Sequence, residues 1–140
     1  MNTVLFACIH NAGRSQMAAA LFNLHADSSR ARAISAGTQP GDRVHPEVLL
    51  AMKELGVDLS DVKPQKLTDE LASSAQLLVT MGCGEACPYV PGLERDDWPL
   101  EDPKGQSIER VREIREEVAR RVLELLSARG WLPKDSSSQP

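Results

Sequence analysis

Short apolar runs alternate with helix-like stretches along this chain, and that alternation limits the possible folds more than any other feature. Thr3–Ile9, Ala31–Gly37 and Gln76–Met81 are rich in apolar and β-branched residues, which predicts three buried strands. A fourth strand within Gly82–Pro99 would have to be short, because that stretch is rich in glycine and proline. Strands that alternate with helices indicate an α/β sandwich around a parallel sheet.

Helical periodicity separates these strands and dominates the C-terminal part of the chain. Apolar residues recur at helical spacing from Ser15 onward, at Met17, Leu21 and Leu24. His45–Gly56 and the shorter Thr68–Ala75 are further helix candidates.

The clearest helix is Ser107–Gly130, which has an apolar face opposite a charged one. The predicted apolar face comprises Ile108, Val111, Ile114, Val118, Val122 and Leu125, and the predicted ion pairs are Glu116–Arg120 and Glu117–Arg121. The polar, serine-rich residues 133–140 are expected to be a disordered tail, which leaves residues 1–132 as a single domain.

Charge and hydropathy exclude several classes of protein. A formal net charge of −4 disfavours nucleic acid and anionic membranes as general partners, so an anion site would have to be built locally. No apolar run approaches the roughly 18 residues that a membrane span needs. The first residues lack a basic segment and a cleavage site, which predicts a cytoplasmic protein. Three cysteines in that compartment do not indicate a disulfide framework.

The loop after the first strand has the spacing Cys-x5-Arg-Ser, from Cys8 to Arg14 and Ser15. A tight turn at a helix N-terminus directs successive backbone N–H groups inward, and such N–H groups bind anions. The guanidinium of Arg14 adds a planar fork of donors that matches a tetrahedral oxyanion. The predicted oxyanion-binding residues are Ile9, His10, Asn11, Ala12, Gly13 and Arg14.

Cys8 lies at the mouth of this loop, where the N–H groups and Arg14 favour its thiolate form. The hydroxyl of Ser15 can donate a further hydrogen bond to the sulfur, which would make Cys8 a nucleophile held beneath a bound oxyanion. A buried strand-end cysteine followed by a capping serine is the alternative interpretation. We interpret Asn11 as a brace of the turn, and His10 as either a catalytic base or a solvent-facing loop residue.

Cys83 and Cys87 lie four residues apart in the segment TMGCGEACPYVPG. They lack the second ligand pair of a zinc site, so no metal is predicted. They suit a redox pair better, because the neighbouring glycines and proline allow the segment to deform when a disulfide closes. Two unrelated loop cysteines remain the alternative.

Asp102 precedes Pro103 on a predicted loop before the last helix. Chemistry at a cysteine-bound oxyanion needs an acid that protonates the leaving oxygen. The local sequence favours an ordinary Asp-Pro turn over that role, and Asp96, Asp97 and Glu101 are nearby competitors.

Four segments taken together, CIHNAGRSQMA, SAGT, LLVTMGCGEACPYVPG and DWPLEDPKGQ, resemble the thioredoxin-coupled arsenate reductases of the low-molecular-weight protein tyrosine phosphatase superfamily. The resemblance covers about Thr3 to Ala128. The Cys-x5-Arg-Ser motif alone would indicate only the superfamily, whereas the cysteine pair after VTM indicates the narrower group. The resemblance implies a three-layer sandwich around a four-stranded parallel sheet, in a single catalytic domain that acts as a monomer.

The resemblance also implies roles for the residues in and around the loop from Cys8 to Ser15, which we call the anion loop. Cys8 would attack arsenate, while Arg14 and the loop N–H groups hold its oxygens. Ser15 would stabilise the thiolate. Asp102 would be the general acid, and for this residue the family resemblance outweighs the interpretation as an ordinary Asp-Pro turn.

The remaining implied roles form a relay of thiols. Cys83 would attack Cys8 and release arsenite, and Cys87 would then free Cys8 by pairing with Cys83. Thioredoxin, with its reductase and NADPH, would be the external reductant, and no bound cofactor is implied.

Some features depart from the family's pattern or are compatible with a different activity. Gly13 stands where some relatives have another cysteine, and the last two cysteines are four apart, whereas some relatives have them seven apart. A phosphatase would use the same loop and Asp102, without any need of Cys83 and Cys87. The sequence is also compatible with reduction coupled to mycothiol or glutaredoxin, and with a regulator that has no turnover.

Overall fold

Four parallel strands form the centre of the fold in the computed structural model, which describes residues 2–81 and 92–133. The strands lie in the order β2-β1-β3-β4, and every neighbouring pair is parallel. Their bounds are β1 Asn2–Cys8, β2 Ala31–Gly37, β3 Leu77–Thr80 and β4 Glu94–Asp97. The predicted α/β class and four-stranded parallel sheet are therefore confirmed.

Within the described residues, four helices connect or follow these strands. They are α1 Arg14–His25, α2 Pro46–Lys53, α3 Asp69–Ser73 and α4 Ile108–Arg129. Side-chain caps begin two of them: Thr68 Oγ1 accepts from the N–H of Leu71, and Ser107 Oγ accepts from the N–H of Arg110, each at 3.1 Å. Gly130 ends α4 with a left-handed φ of 73°, a conformation that glycine adopts at low cost.

Alternate residues of β1 contribute to two separate apolar cores. Val4 and Phe6 pack into the larger core with α1, α2 and α4, whereas Leu5 and Ala7 pack into a smaller core that includes Ala72 of α3. The period-2 geometry of a strand produces this division, because successive side chains point to opposite faces of the sheet. The sheet is thus the middle of three layers.

The structure corrects two details of the predicted helix patterns. Leu24 is 49% exposed, so the buried face of α1 ends at Phe22. On α4 the last fully buried residue is Leu126 rather than Leu125, because the 3.6-residue period continues from Val122 by four residues.

Of the two predicted ion pairs on α4, one is confirmed and the other is wrong. Arg121 Nε lies 3.0 Å from Glu117, as predicted. Glu116 instead pairs with Arg115 at 2.9 Å, and Arg120 pairs with Glu117 and Glu124. Arginine side chains are long enough to reach several carboxylates on one exposed face, so spacing alone does not select the partner.

No helix within residues 2–81 and 92–133 combines the length and the apolar character that crossing a membrane requires. Within the same ranges, no group of three or more histidine, cysteine or acidic side chains is arranged to hold a metal ion.

Glu54, directly after α2, joins that helix to α4. It accepts hydrogen bonds from Arg112 at 2.6 Å and from Arg115 at 2.7 Å, and these bonds lower its pKa from 4.5 to about 2. A carboxyl whose pKa is lowered by folding stabilises the fold above its unfolded pKa, and this contribution is lost as the pH falls through the folded value. Glu54 therefore stabilises the fold fully above about pH 4.5 and loses this effect towards pH 2.

We expect Glu54→Gln to lower Tm at pH 7, and the difference from wild type to shrink as the pH falls from 4.5 towards 2. Thermal unfolding followed by circular dichroism across this range measures both effects. Glu124→Gln is the matched control, because Glu124 pairs with Arg120 of its own helix and does not join two elements. A Tm difference for Glu54→Gln that stays constant down to pH 2 would contradict the assignment.

Candidate active site

The loop between β1 and α1 is fixed on its outer side by neighbouring backbone. The carbonyl oxygens of Ile9, His10 and Ala12 accept hydrogen bonds from the N–H groups of residues 39, 41 and 45, at 2.8–2.9 Å. In a trans peptide the N–H points opposite to the C=O of the same unit. The N–H groups of the next residues, His10, Asn11 and Gly13, therefore point towards the inside of the loop.

Cys8 ends β1 and is only 2% exposed. Its Sγ lies 2.8 Å from Ser15 Oγ and 3.3 Å from the backbone N–H of Asn11. The sulfur thus has a peptide donor and a hydroxyl within reach, at the N-terminal end of α1. Both groups can donate hydrogen bonds to the sulfur, which also lies at the positive end of the α1 dipole.

Asn11 determines the direction of the hydrogen bond between Ser15 and Cys8. Asn11 Oδ1 accepts from the backbone N–H of Gln65 at 3.0 Å, so its Nδ2 faces Ser15 Oγ, at 2.8 Å. Because the serine oxygen accepts from that amide, the single hydroxyl proton is available for Cys8 Sγ. The network is therefore polarised towards the sulfur, which suits a thiolate.

Asn11 also has the backbone conformation that the turn requires. Its φ is 52°, the one positive φ of a non-glycine residue in residues 2–81 and 92–133, and its side chain is fully buried. Asparagine tolerates this region better than most residues because its short amide can bond locally. The interpretation of Asn11 as a brace agrees with this geometry.

Arg14 begins α1 and reaches the segment that carries Asp102. Its Nη1 donates to the carbonyl oxygen of Leu100 at 2.9 Å, and its Nη2 lies 3.8 Å from Asp102 Oδ2. The Arg14 side chain is 9% exposed, whereas the Asp102 side chain is 46% exposed. The fold therefore brings Cys8, Arg14 and Asp102 to one end of the sheet, with the acid open to solvent.

The three competing acids have other partners. Asp96 accepts from the indole N–H of Trp98 at 3.1 Å, and Asp97 accepts from the hydroxyl of Thr80 at 2.7 Å. Glu101 pairs with Arg110 of α4, and this pairing lowers its pKa. Among the four candidates, Asp102 is the one whose ion pair with Arg14 connects it to the loop.

A cleft of about 360 Å³ lies on the outer side of the loop. Its lining residues are His10, Ala12, Gly41, Asp42, Arg43, His45 and Lys104. His10 Nδ1 lies 3.0 Å from the carbonyl oxygen of Gln39, which places His10 on this outer side rather than inside the loop. Burial lowers the pKa of His45, although the negative charge of Asp102 opposes that effect. Nothing in the local sequence of His45 marks it as a residue of this cleft.

Gly37 ends β2 in direct contact with the anion loop. A Cβ at this position would lie 2.5 Å from the carbonyl oxygen of Ile9 and 2.9 Å from the N–H nitrogen of Asn11. Both are backbone atoms, so a methyl group can be accommodated only if the loop moves.

We expect Gly37→Ala to destabilise the protein by about 1–3 kcal/mol and to weaken phosphate binding, as overpacking displaces the loop. Thermal unfolding and calorimetric titration with phosphate measure the two effects. Gly41→Ala is the control, because its Cβ would have no neighbour closer than 3.9 Å. Wild-type stability and phosphate affinity in Gly37→Ala would show that the loop is not held as tightly as the structure indicates.

Cys83 and Cys87 lie outside the described residues, as do residues 134–140 of the predicted tail. The last described residue before Cys83 is Met81, which is buried and whose N–H donates to the carbonyl oxygen of Ala7 at 2.8 Å. The chain therefore leaves β3 beside β1, at the end of the sheet that carries Cys8.

A strand-end cysteine beneath a loop of inward-facing N–H groups, with an arginine at the start of the following helix, is an arrangement of an α/β fold that suits the binding of an oxyanion. The sequence profile of the low molecular weight phosphotyrosine protein phosphatase family matches residues 3–136. The chain belongs to this family.

Its relatives include arsenate reductases. A putative arsenate reductase of Halobacterium salinarum is 37% identical over 124 residues, which cover 86% of this chain and 87% of that protein. A glutaredoxin arsenate reductase of Synechocystis is 34% identical over 130 residues, which cover 91% and 98%. The predicted resemblance to arsenate reductases of the phosphatase superfamily is confirmed.

Solved structures of arsenate reductases share the fold. A thioredoxin-dependent arsenate reductase of Corynebacterium glutamicum superimposes with a TM-score of 0.78 at 43% identity, over 91% of this chain. The chain spans 61% of that protein's length. An arsenate reductase of Archaeoglobus fulgidus gives a TM-score of 0.75 at 32% identity, over 89% of this chain and 98% of that one.

Proposed function

We propose that this protein reduces arsenate to arsenite, with Cys8 as nucleophile and thioredoxin as the external reductant. The observation that carries the proposal is the environment of the Cys8 sulfur. It lies 2.8 Å from a hydroxyl whose proton is directed towards it and 3.3 Å from a loop N–H. The arsenate reductases among its relatives support arsenate as the oxyanion.

The first step forms a bond between sulfur and arsenic. The Cys8 thiolate attacks arsenic while Arg14 and the loop N–H groups hold the arsenate oxygens. One oxygen leaves as water after it takes a proton, and Asp102 is the donor that we propose. The Asp102 side chain is half-exposed and its Oδ2 lies 3.8 Å from Arg14, which supports a role beside an oxyanion that Arg14 holds, with access to solvent.

The second step transfers two electrons to arsenic. The Cys83 thiolate attacks Cys8 Sγ, a Cys8–Cys83 disulfide forms, and the electron pair of the sulfur–arsenic bond stays on arsenic, which leaves as arsenite. Cys87 then attacks Cys83, which releases Cys8 as a thiolate and leaves a Cys83–Cys87 disulfide. Thioredoxin reduces that disulfide by the same exchange chemistry.

Two observations favour specific alternatives. The family is named for phosphotyrosine phosphatases, and the same loop would hold a phosphate ester. The Synechocystis relative is a glutaredoxin arsenate reductase, which favours glutaredoxin as an alternative reductant. Neither alternative changes the roles of Cys8 and Arg14.

A coupled assay with arsenate, thioredoxin, thioredoxin reductase and NADPH tests the proposal, beside a parallel assay with a phosphate monoester. We expect NADPH oxidation that depends on arsenate and on thioredoxin. Exchange of thioredoxin for glutaredoxin and glutathione tests the alternative reductant. Ester hydrolysis without arsenate-dependent NADPH oxidation would identify a phosphatase, and inactivity in every assay would favour a regulator.

A further inference from the structure

The buried side chain of Gln16 takes no part in the chemistry proposed above. Gln16 is the third residue of α1 and is 4% exposed. Its Nε2 lies 3.1 Å from the backbone carbonyl oxygen of Asn11 and 3.1 Å from Asn11 Oδ1. Both oxygens can only accept hydrogen bonds, so Gln16 presents its NH₂ group to them. A buried amide thus donates both of its protons to a single residue.

These bonds fix the orientation of the Asn11 amide. Asn11 Oδ1 accepts from Gln16 Nε2 and from the backbone N–H of Gln65. A rotation of the amide by 180° would place its NH₂ group against two donors. Nδ2 is therefore kept on the side of Ser15, where it donates to the hydroxyl oxygen at 2.8 Å.

We infer that Gln16 is a positioning residue, which orients Asn11 and thereby directs the hydroxyl proton of Ser15 onto the sulfur of Cys8. The inference rests on the proposed role of Cys8 as nucleophile and names a further residue that prepares it. Gln16 acts through two intermediaries, because Asn11 donates to Ser15 and Ser15 donates to Cys8.

Two substitutions of similar length separate this role from simple packing. In Gln16→Glu an acceptor replaces the donor, so the carboxylate faces two carbonyl-type oxygens and favours the rotated Asn11 amide. Asn11 Oδ1 would then accept the hydrogen bond from the Ser15 hydroxyl, and the sulfur of Cys8 would lose that donor. In Gln16→Met both donors are lost, but the N–H of Gln65 still holds Asn11 Oδ1 in place.

The test is the rate of Cys8 alkylation by iodoacetamide, measured on the full reduced chain between pH 5 and 9 and assigned to Cys8 by peptide mass spectrometry. At pH 7 we expect Gln16→Glu to react about tenfold more slowly than wild type, and Gln16→Met about two- to threefold more slowly. Towards pH 5 the ratio of Gln16→Glu to wild type should rise towards one, because the protonated carboxyl can donate a hydrogen bond.

Asn23→Asp is the matched control on the same helix. Asn23 Oδ1 accepts from the N–H of Ala33 at 2.8 Å, and Asn23 Nδ2 donates to the carbonyl oxygen of Ala33 at 3.0 Å. Loss of the amide donor in Asn23→Asp should therefore lower Tm without changing the alkylation profile. Wild-type alkylation by Gln16→Glu at every pH would overturn the inference, as would Gln16→Met reacting as slowly as Gln16→Glu. If Gln16→Glu does not fold, wild-type reactivity of Gln16→Met overturns it instead. The assay needs no arsenate, so failure of the proposed function leaves this test intact.

Discussion

Cys8→Ser is expected to abolish arsenate reduction, with turnover falling by about 10⁴-fold or more. The hydroxyl of serine is nearly isosteric with the thiol but stays protonated at neutral pH, so it is a far weaker nucleophile towards arsenic. It also cannot form the disulfide by which arsenic gains two electrons. Arsenate-dependent NADPH oxidation in the coupled assay measures the loss.

Phosphate binding is the control for this variant. The loop N–H groups and Arg14 do not depend on the thiol, so calorimetry should show that Cys8→Ser still binds phosphate. Tm close to that of wild type would confirm that the buried position tolerates serine. Arsenate reduction at a tenth or more of the wild-type rate would contradict Cys8 as the nucleophile.

Cys87→Ser is expected to stop the cycle after one turnover and to accumulate a Cys8–Cys83 disulfide. In the proposed relay the first two steps need only Cys8 and Cys83, whereas the release of Cys8 would need the third thiol. Non-reducing peptide mapping by mass spectrometry after exposure to arsenate identifies the trapped bond.

Cys83→Ser is the matched comparison for this trap. Without the second thiol, no Cys8–Cys83 disulfide can form and arsenic should remain on Cys8 until it is displaced by an added thiol. Recovery of only reduced Cys8 from Cys87→Ser after arsenate treatment would contradict the proposed order of the relay. Continued multiple turnover in that variant would contradict the need for Cys87.

The parts of the site that lie close together in sequence could be predicted from it. Cys8, Arg14 and Ser15 belong to one strand–loop–helix unit, in which spacing and helix geometry determine which groups face the anion. The structure keeps Ser15 Oγ 2.8 Å from the sulfur. The roles of these residues stay predictions until turnover is measured.

Contacts between distant segments could not be predicted in this way. Arg14 donates to Leu100, 86 residues away, and Asn11 Oδ1 accepts from Gln65, 54 residues away. No local pattern marks either partner, because a backbone carbonyl or N–H carries no sequence signature. Among the four acids, the local sequence does not distinguish Asp102. The family resemblance does, and the fold supplies its contact with Arg14.

β4 shows a second limit of sequence patterns. Its residues Glu94–Asp97 are all charged and exposed, so neither apolar content nor alternation indicates a strand. It is the last strand in the order of the sheet, beside β3, and charged side chains suit an edge strand. The parallel order of the sheet, rather than local preference, explains why this segment is extended.

A single-turnover experiment without any external reductant tests the central proposal most directly. The fully reduced chain is mixed with excess arsenate, and arsenite is quantified by chromatography with mass detection while disulfides are mapped on the protein. We expect about one arsenite per chain together with one Cys83–Cys87 disulfide, because one disulfide supplies the two electrons that arsenate reduction consumes. No arsenite and three free thiols, in a sample that hydrolyses a phosphate monoester, would contradict it.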